Sequence, residues 1–115
     1  MILILLLPLL LLLVPIQAHA LSPAAREFME ISRELEPVQC EKRQLRRQMA
    51  LAEAERRDAD MKSLRQKFAR LNRDPKTAKL EQRLAELEPL LKRSSDPEDL
   101  PAISFQQREA FYRCD

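Results

Sequence analysis

The sequence predicts an all-α protein in which a long helix folds back antiparallel on a shorter one, with short helices at both ends and one disulfide. The chain has no glycine, and it is rich in Leu, Ala, Glu, Gln, Arg and Lys, whose side chains lose little freedom in a helix. Residues 21–115 contain one Val, one Tyr and no Trp, so strand formers are scarce. Of these 95 residues, 38 are charged and 36 are apolar, whereas an ordinary domain is about 25% charged. This composition favours narrow apolar seams between helices over a thick core.

The first twenty residues have the pattern of a secretory signal peptide. Ile2 to Val14 is a nearly unbroken run of Ile and Leu, and Ala18-His19-Ala20 follows it. An apolar stretch of this length that ends at an A-x-A site is typical of a signal peptide cleaved on export. We therefore expect residues 1–20 to be removed, which leaves a single small helical domain, residues 21–115, in the periplasm or secreted. The alternative is an uncleaved N-terminal membrane anchor, although the apolar stretch is shorter than the ~20 residues that cross a bilayer.

The first helix of the mature chain is predicted over residues 23–36. Ser22 and Pro23 have the pattern of an N-cap followed by proline at the first helical position, where a missing N–H is harmless. Pro37 should then break or kink the chain, because proline cannot donate the helical hydrogen bond. Apolar residues between these points recur at helical spacing: Phe28, Ile31 and Leu35.

A long helix over residues 38–72 and a shorter one over residues 75–93 are predicted next. The first of these segments contains no Pro or Gly. A turn follows it, in which Asp74 caps the next helix and Pro75 opens it. Pro89 should kink or end that helix.

Apolar stripes at helical spacing lie on both segments, symmetrically about the turn. If the chain folds back at the turn, the two stripes face each other in a constant antiparallel register. We therefore expect the two helices to form a hairpin closed by these contacts. The predicted pairs are Leu71 with Leu80, Phe68 with Leu84, Leu64 with Leu87, and Met61 with Leu91.

Cys40 and Cys114 are expected to form an intramolecular disulfide, with pairing between two chains as the alternative. An even number of cysteines in an exported protein favours a disulfide. A loop over residues 94–101 and a last helix from Ser104 would return the chain along the long helix towards Cys40, and its aromatic residues would help to cover that helix. Closing a loop of about 75 residues restricts the unfolded chain by about 4.5 kcal/mol in the chain-entropy model.

The mature sequence lacks the residues that usually carry catalysis or bind cofactors. His19, the single histidine, lies in the predicted signal peptide, so the usual general base and the commonest zinc ligand are missing. Without glycine there is no phosphate-binding loop. Carboxylates on successive turns, at Glu27, Glu30 and Glu34, are typical of a solvated helix face. We therefore predict no catalytic residue, no cofactor and no metal, and a protein that is not an enzyme.

Positive charge is concentrated in the predicted long helix. Residues 41–73 carry eleven basic and five acidic side chains, a net charge of +6. One interpretation is contact with an anionic surface such as phospholipid. The other is a solvated helix whose acids pair with bases four residues on, as Glu53 with Arg57. Export makes nucleic acid the least favoured anion. The residues that would contact an anionic surface form two clusters. The first is Lys42, Arg43, Arg46 and Arg47, and the second is Arg65, Arg70 and Arg73 together with Lys67.

The sequence favours an exported protein that acts by binding, as an adaptor or chaperone-like protein, on an unknown protein partner in the cell envelope. One alternative is an envelope-surface binder that uses the basic clusters on anionic lipid. Another is a structural coiled-coil homo-oligomer, although polar residues occupy the second zipper position of each heptad. The residues that would then meet a second copy are Val38, Leu45, Ala52 and Ala59. No family resemblance is specific enough to name.

Overall fold

Residues 21–114 are described by a computed structural model, and within this range the chain forms four α-helices and no strand. In chain order they are α1 (Pro23–Ala54), α2 (Asp58–Arg73), α3 (Pro75–Lys92) and α4 (Asp99–Arg113). The predicted all-α fold, antiparallel hairpin and disulfide are confirmed. The predicted signal peptide and its cleavage site lie outside the described residues.

Helix α1 begins where predicted and continues well beyond the predicted end. The Ser22 Oγ caps it by accepting the N–H of Ala25 at 3.1 Å. The predicted break at Pro37 is wrong, because α1 continues through this residue. An interior proline costs a helix about 3 kcal/mol. Packing offsets this cost, since Leu35 and Leu45 on either side of the proline are buried against other helices.

The chain reverses direction immediately after α1, and this is the turn of the hairpin. The N–H of Arg56 donates to the carbonyl of Glu53 (3.1 Å), and the N–H of Arg57 donates to that of Ala52 (2.8 Å). These are the two hydrogen bonds of a Schellman motif, whose central residue is usually glycine. Here Arg56 takes that place with φ of 55°. The predicted unbroken helix over residues 38–72 is therefore wrong, because a charged segment without Gly or Pro forms the turn.

Helices α2 and α3 lie end to end, and both run antiparallel along α1. Asp74 alone separates them, and it caps α3 by accepting the N–H of Thr77 at 3.0 Å. Helix α2 packs on the C-terminal half of α1, where Leu64 shares a buried cluster with Leu45 and Ala52. The hairpin therefore has α1 as one side and the α2–α3 pair as the other.

Helix α3 packs on the N-terminal half of α1, where Leu87 shares a second buried cluster with Ile31 and Leu35. The predicted contact of Leu64 with Leu87 is therefore wrong, because the two lie in different clusters. The apolar stripes of α2 and α3 are symmetric about Asp74. Such a pattern arises when two helices face each other, but it arises equally when both face a third helix, which here is α1. The other predicted pairs are also divided between clusters: Leu71 and Leu80, Phe68 and Leu84, Met61 and Leu91.

Helix α4 returns parallel to the first half of α1. It begins at Asp99, one turn and a half before the predicted start at Ser104. Ile103 is 6% exposed and packs in a third cluster with residues of α1 and α3. At its end, the disulfide joins Cys114 to Cys40 on α1, with a distance of 5.4 Å between the two Cα atoms.

The fold therefore has two parts, which we call the head and the arm. The head, residues 21–41 and 74–114, is a three-helix bundle of the first half of α1 with α3 and α4. The arm, residues 42–73, pairs the second half of α1 with α2. Within residues 21–114, no helix has the length and apolar character needed to cross a membrane.

Candidate binding surfaces

Lys42, a predicted contact for an anionic surface, is buried inside the molecule. Its side chain is 5% exposed, and Nζ lies 2.6 Å from Glu81 Oε1 on α3. Gln39 Nε2 donates to the same oxygen at 3.3 Å, and the ring of Phe68 on α2 lies 5.9 Å from Nζ. Lys42 therefore joins α1, α2 and α3 where the arm meets the head. The charge of Lys42 is buried and is held by the partly exposed carboxylate of Glu81, so it is not available to an external anion.

The other basic residues of the first cluster do not form one contact surface. The guanidinium of Arg43 lies 4.6 Å from the ring centroid of Phe111 on α4. That of Arg46 lies 5.4 Å from the ring of Phe68 on α2, and Arg47 is exposed. Exposed cation–π contacts contribute about 0.5–1 kcal/mol. They fix the direction of each side chain and leave its charge accessible.

Helix α2 carries a concentration of exposed positive charge. Five basic side chains are exposed along it, and from residue 61 to its end there is no acidic residue. None of the five makes an ion pair or hydrogen bond through its side chain within the described part of the chain. We call this set the α2 basic surface, and it includes all four residues of the second predicted cluster. Its members are Lys62, Arg65, Lys67, Arg70 and Arg73.

The solvent-facing side of α4 carries three of the five aromatic residues of the sequence. Phe105, Phe111 and Tyr112 are 60%, 50% and 71% exposed, and Leu100 is 57% exposed. At about 100° per residue, these positions and Arg108 fall within about 140° of the helix circumference. We call these five residues the α4 aromatic face. Contiguous exposed apolar surface of this kind marks an interaction site more often than isolated apolar residues do.

A groove of about 410 Å³ adjoins the α4 aromatic face, between α1, α3 and α4. Phe28, Leu35 and Leu84 contribute apolar lining to it. Phe111 belongs both to the groove and to the aromatic face, and Arg43 lies over its ring. The groove and the aromatic face therefore form one continuous surface with an apolar interior and a basic edge.

Gln106 presents an unused hydrogen-bond acceptor in this region. Its Oε1 is buried and accepts no hydrogen bond from any described residue. The Nε2 of the same amide donates to the carbonyl of Met29 at 2.8 Å, and this bond fixes which way the amide is oriented. A buried acceptor without a partner costs about 1–3 kcal/mol. Gln106 lines the groove, but its Oε1 faces the protein interior and is not accessible to a bound group.

The C-terminal end of α4 is held on α1 by an ion pair as well as by the disulfide. The Arg113 guanidinium donates two hydrogen bonds to the Glu36 carboxylate, at 2.8 and 3.0 Å. These bonds lower the pKa of Glu36, and partial burial opposes them. The aromatic face is therefore presented by a helix whose end is attached covalently and electrostatically.

The N-terminal end of α4 is fixed by Asp99, which is 0% exposed. Its Oδ1 accepts the N–H of Ser22 (3.0 Å), and its Oδ2 accepts the hydroxyls of Ser22 (2.6 Å) and Ser94 (2.8 Å). Burial raises the pKa of Asp99, but the hydrogen bonds from Ser22 and Ser94 outweigh it, so the pKa is lowered. Because Ser22 also caps α1, one network fixes the beginnings of both helices.

No family model matches the chain, and no curated protein or solved structure is significantly similar to it. Among residues 21–114, the His, Cys, Asp and Glu side chains form no group of three that could hold a metal. The α4 aromatic face was missed from the sequence, because its aromatic residues were expected to cover the long helix. A helical projection separates the two sides of α4, since Ile103, Gln106 and Ala110 lie opposite Phe105 and Tyr112.

Proposed function

We propose that this protein is an exported binding protein that holds a partner protein on the α4 aromatic face and in the adjoining groove, without catalysing a reaction. The observation that carries the proposal is the exposure of Phe105, Phe111 and Tyr112 on a helix attached by a disulfide. Aromatic side chains are favoured at interfaces because they bury a large area with few rotatable bonds. The disulfide is consistent with an oxidising exported compartment, which supports a periplasmic or secreted location.

The partner segment that fits this surface is apolar at its centre and acidic at its edge. Arg108 is the charged residue of the aromatic face, and Arg33 and Arg43 line the groove beside it. Carboxylates on the partner would meet these guanidinium groups with complementary charge, which gives specificity and speeds association. An apolar side chain of the partner would enter the groove.

Two observations favour this proposal over a coiled-coil oligomer. Leu45 and Ala52, which would meet a second copy in a coiled coil, are 6% and 0% exposed and pack with Leu64 of α2. A second copy would have to displace α2 to reach them. The apolar residues that the described chain exposes are instead concentrated on α4.

Peptide-display selection on the purified protein tests the proposal. Enriched peptides should combine apolar residues with Asp or Glu. They should lose binding to Phe105→Ser and to Arg108→Glu, neither of which removes a core contact, because both side chains are exposed. Arg70→Glu makes the same charge change in the arm and should bind normally, which makes it the matched control. The proposal is overturned if no peptide is enriched, or if enriched peptides bind all three variants alike.

A further inference from the structure

Charge is divided between the two parts of the molecule. The arm, residues 42–73, contains eleven basic and four acidic side chains, a net charge of +7. The described head contains nine basic and thirteen acidic side chains, a net charge of −4. The whole sequence has a net charge of only +2. Basic and acidic residues are therefore nearly balanced overall, but they are segregated between the arm and the head. The arm therefore projects a positive field of its own.

The acidic residues of the arm are confined to its tip, near the hairpin turn. They are Glu53, Glu55, Asp58 and Asp60. Arg57 at the same tip pairs with two of them, and its Nε lies 2.7 Å from Glu55 Oε2. Behind the tip, the α2 basic surface has no carboxylate partner within the described residues. The positive charge of α2 is thus left uncompensated from Lys62 to Arg73 within the described residues.

The α2 basic surface is spread around the helix and has no shaped pocket at its centre. At about 100° per residue, Lys62, Arg70 and Arg73 point away from α1, whereas Arg65 and Lys67 lie on opposite flanks. The apolar side of α2 is already occupied, because Leu64 and its neighbours pack on α1. A partner is therefore recognised here by repeated positive charge and not by a fitted cavity. An extended sheet of phosphates meets that requirement.

We propose that the arm lies on the surface of a bilayer that contains anionic phospholipid. Leu51 supports a bilayer over free phosphate, because it is 55% exposed and lines a shallow groove together with Lys67. An exposed leucine beside a lysine matches the boundary between acyl chains and headgroups. The negatively charged head is repelled by the same surface. The α4 aromatic face, which belongs to the head, is thus kept in the aqueous phase.

Vesicle co-sedimentation with the protein purified from its export compartment tests this inference. Vesicles of phosphatidylcholine with phosphatidylglycerol should bind it, vesicles of phosphatidylcholine alone should not, and added salt should weaken binding. Each basic residue near an anionic surface contributes roughly fivefold to binding. The double variant Arg65→Gln/Arg70→Gln should therefore bind roughly 25-fold more weakly. The double variant Arg26→Gln/Lys79→Gln makes the same charge change in the head and should stay within about twofold of the parent, because it lies outside the contact.

Three results would overturn the inference. The first is no binding to the anionic vesicles at low salt. The second is an equal loss of binding in the arm and head variants, which would show that net charge alone is responsible. The third is displacement by inorganic phosphate at an ionic strength where chloride has no effect, which would indicate a phosphate site. Circular dichroism checks that the arm variant keeps its helices, and we expect this because both side chains are exposed. None of these measurements involves the α4 aromatic face, so the proposed function can fail or succeed independently.

Discussion

Reduction of the Cys40–Cys114 disulfide should release the C-terminal two thirds of α4, residues 104–113, before any other helix. The bond spans a sequence separation of 74, and a loop of this size restricts the unfolded chain by at most about 4.5 kcal/mol. The remaining contacts of residues 104–113 are weaker. They are the Arg113–Glu36 pair, whose side chains are 56% and 24% exposed, the Gln106–Met29 hydrogen bond and the contact of Arg43 with the Phe111 ring. Exposed ion pairs contribute only about 0.2–1 kcal/mol. The disulfide is therefore the dominant restraint on residues 104–113.

The beginning of α4 should stay in place after reduction, because it is held by different contacts. Asp99 keeps its hydrogen bonds to Ser22 and Ser94, and Ile103 stays in its cluster with α1 and α3. The seams of α1 with α2 and α3 do not include the disulfide. An isolated helical segment of about ten residues does not persist in water, so we expect residues 104–113 to become frayed and not merely displaced.

Hydrogen exchange of the oxidised and the reduced, alkylated protein measures this directly. Amides of residues 104–113 should lose protection first and by the largest factor. Amides of α2 serve as the internal control, because α2 packs on the other half of α1 in a cluster that does not include the disulfide. Cys40→Ser/Cys114→Ser should behave as the reduced protein does. Unchanged protection of residues 104–113, or loss of α2 protection at the same step, would refute the reasoning.

Three further predictions concern the turn, the buried carboxylate and the core. Arg56→Gly should raise the free energy of unfolding by about 0.5–1 kcal/mol in urea denaturation, because glycine adopts positive φ without the strain that arginine carries. Asp99→Asn should lower it by about 2 kcal/mol near neutral pH, since a buried ionised acceptor is lost. The pKa of Asp99 is lowered in the folded protein. Its contribution to the free energy of unfolding is therefore complete at a pH above the ordinary pKa of 3.8, and it is lost as the pH falls through the folded pKa. Leu64→Ala and Leu87→Ala should each cost about 2–4 kcal/mol and should be additive.

Each of these predictions has a control within the chain. Glu55→Gly places glycine at φ of −91° and should give no gain; an equal gain at both positions would contradict the strain argument. The Asp99→Asn variant should lose less stability than the parent below about pH 4, and parallel pH curves would show that Asp99 is not the titrating group. Leu35→Ala with Leu87→Ala should be non-additive, because both lie in one cluster. Strong non-additivity of Leu64→Ala and Leu87→Ala would indicate that the two side chains are in contact, as the sequence predicted, and would contradict the two separate clusters.

The composition, the helix caps and the cysteines were sufficient to predict the fold class. The caps depend only on neighbouring residues, and the composition and the cysteine number are obtained by counting. Ser22 and Asp74 cap helices where the sequence places them, and the even pair of cysteines forms the disulfide. The turn of the hairpin was not predictable, because it uses Arg56 where glycine is usual. The position of this turn depends on how α2 packs on α1 to bury Leu64. That packing is a property of the folded molecule and not of the local sequence.

The candidate surfaces were predicted only in part. Charge counting identified Arg65 and Arg70, which the structure places on the exposed side of α2. The same counting included Lys42, which is buried and paired with Glu81. A helical pattern does not show which side of a long helix a later segment covers. The α4 aromatic face escaped prediction for the same reason. Knowing that Ile103 faces the core requires knowing where α4 lies.

Site-specific photo-crosslinking in cells that produce the protein tests the central claim, that a partner binds the α4 aromatic face. A photoreactive phenylalanine analogue would replace Phe105, and the same analogue at Lys79, exposed on α3, would serve as the control. We expect a discrete adduct with another protein from position 105 and none from position 79. This adduct should disappear with Arg108→Glu and persist with Arg70→Glu. The same adducts from both positions, an adduct with only a second copy of the chain, or no adduct from position 105 would contradict the claim.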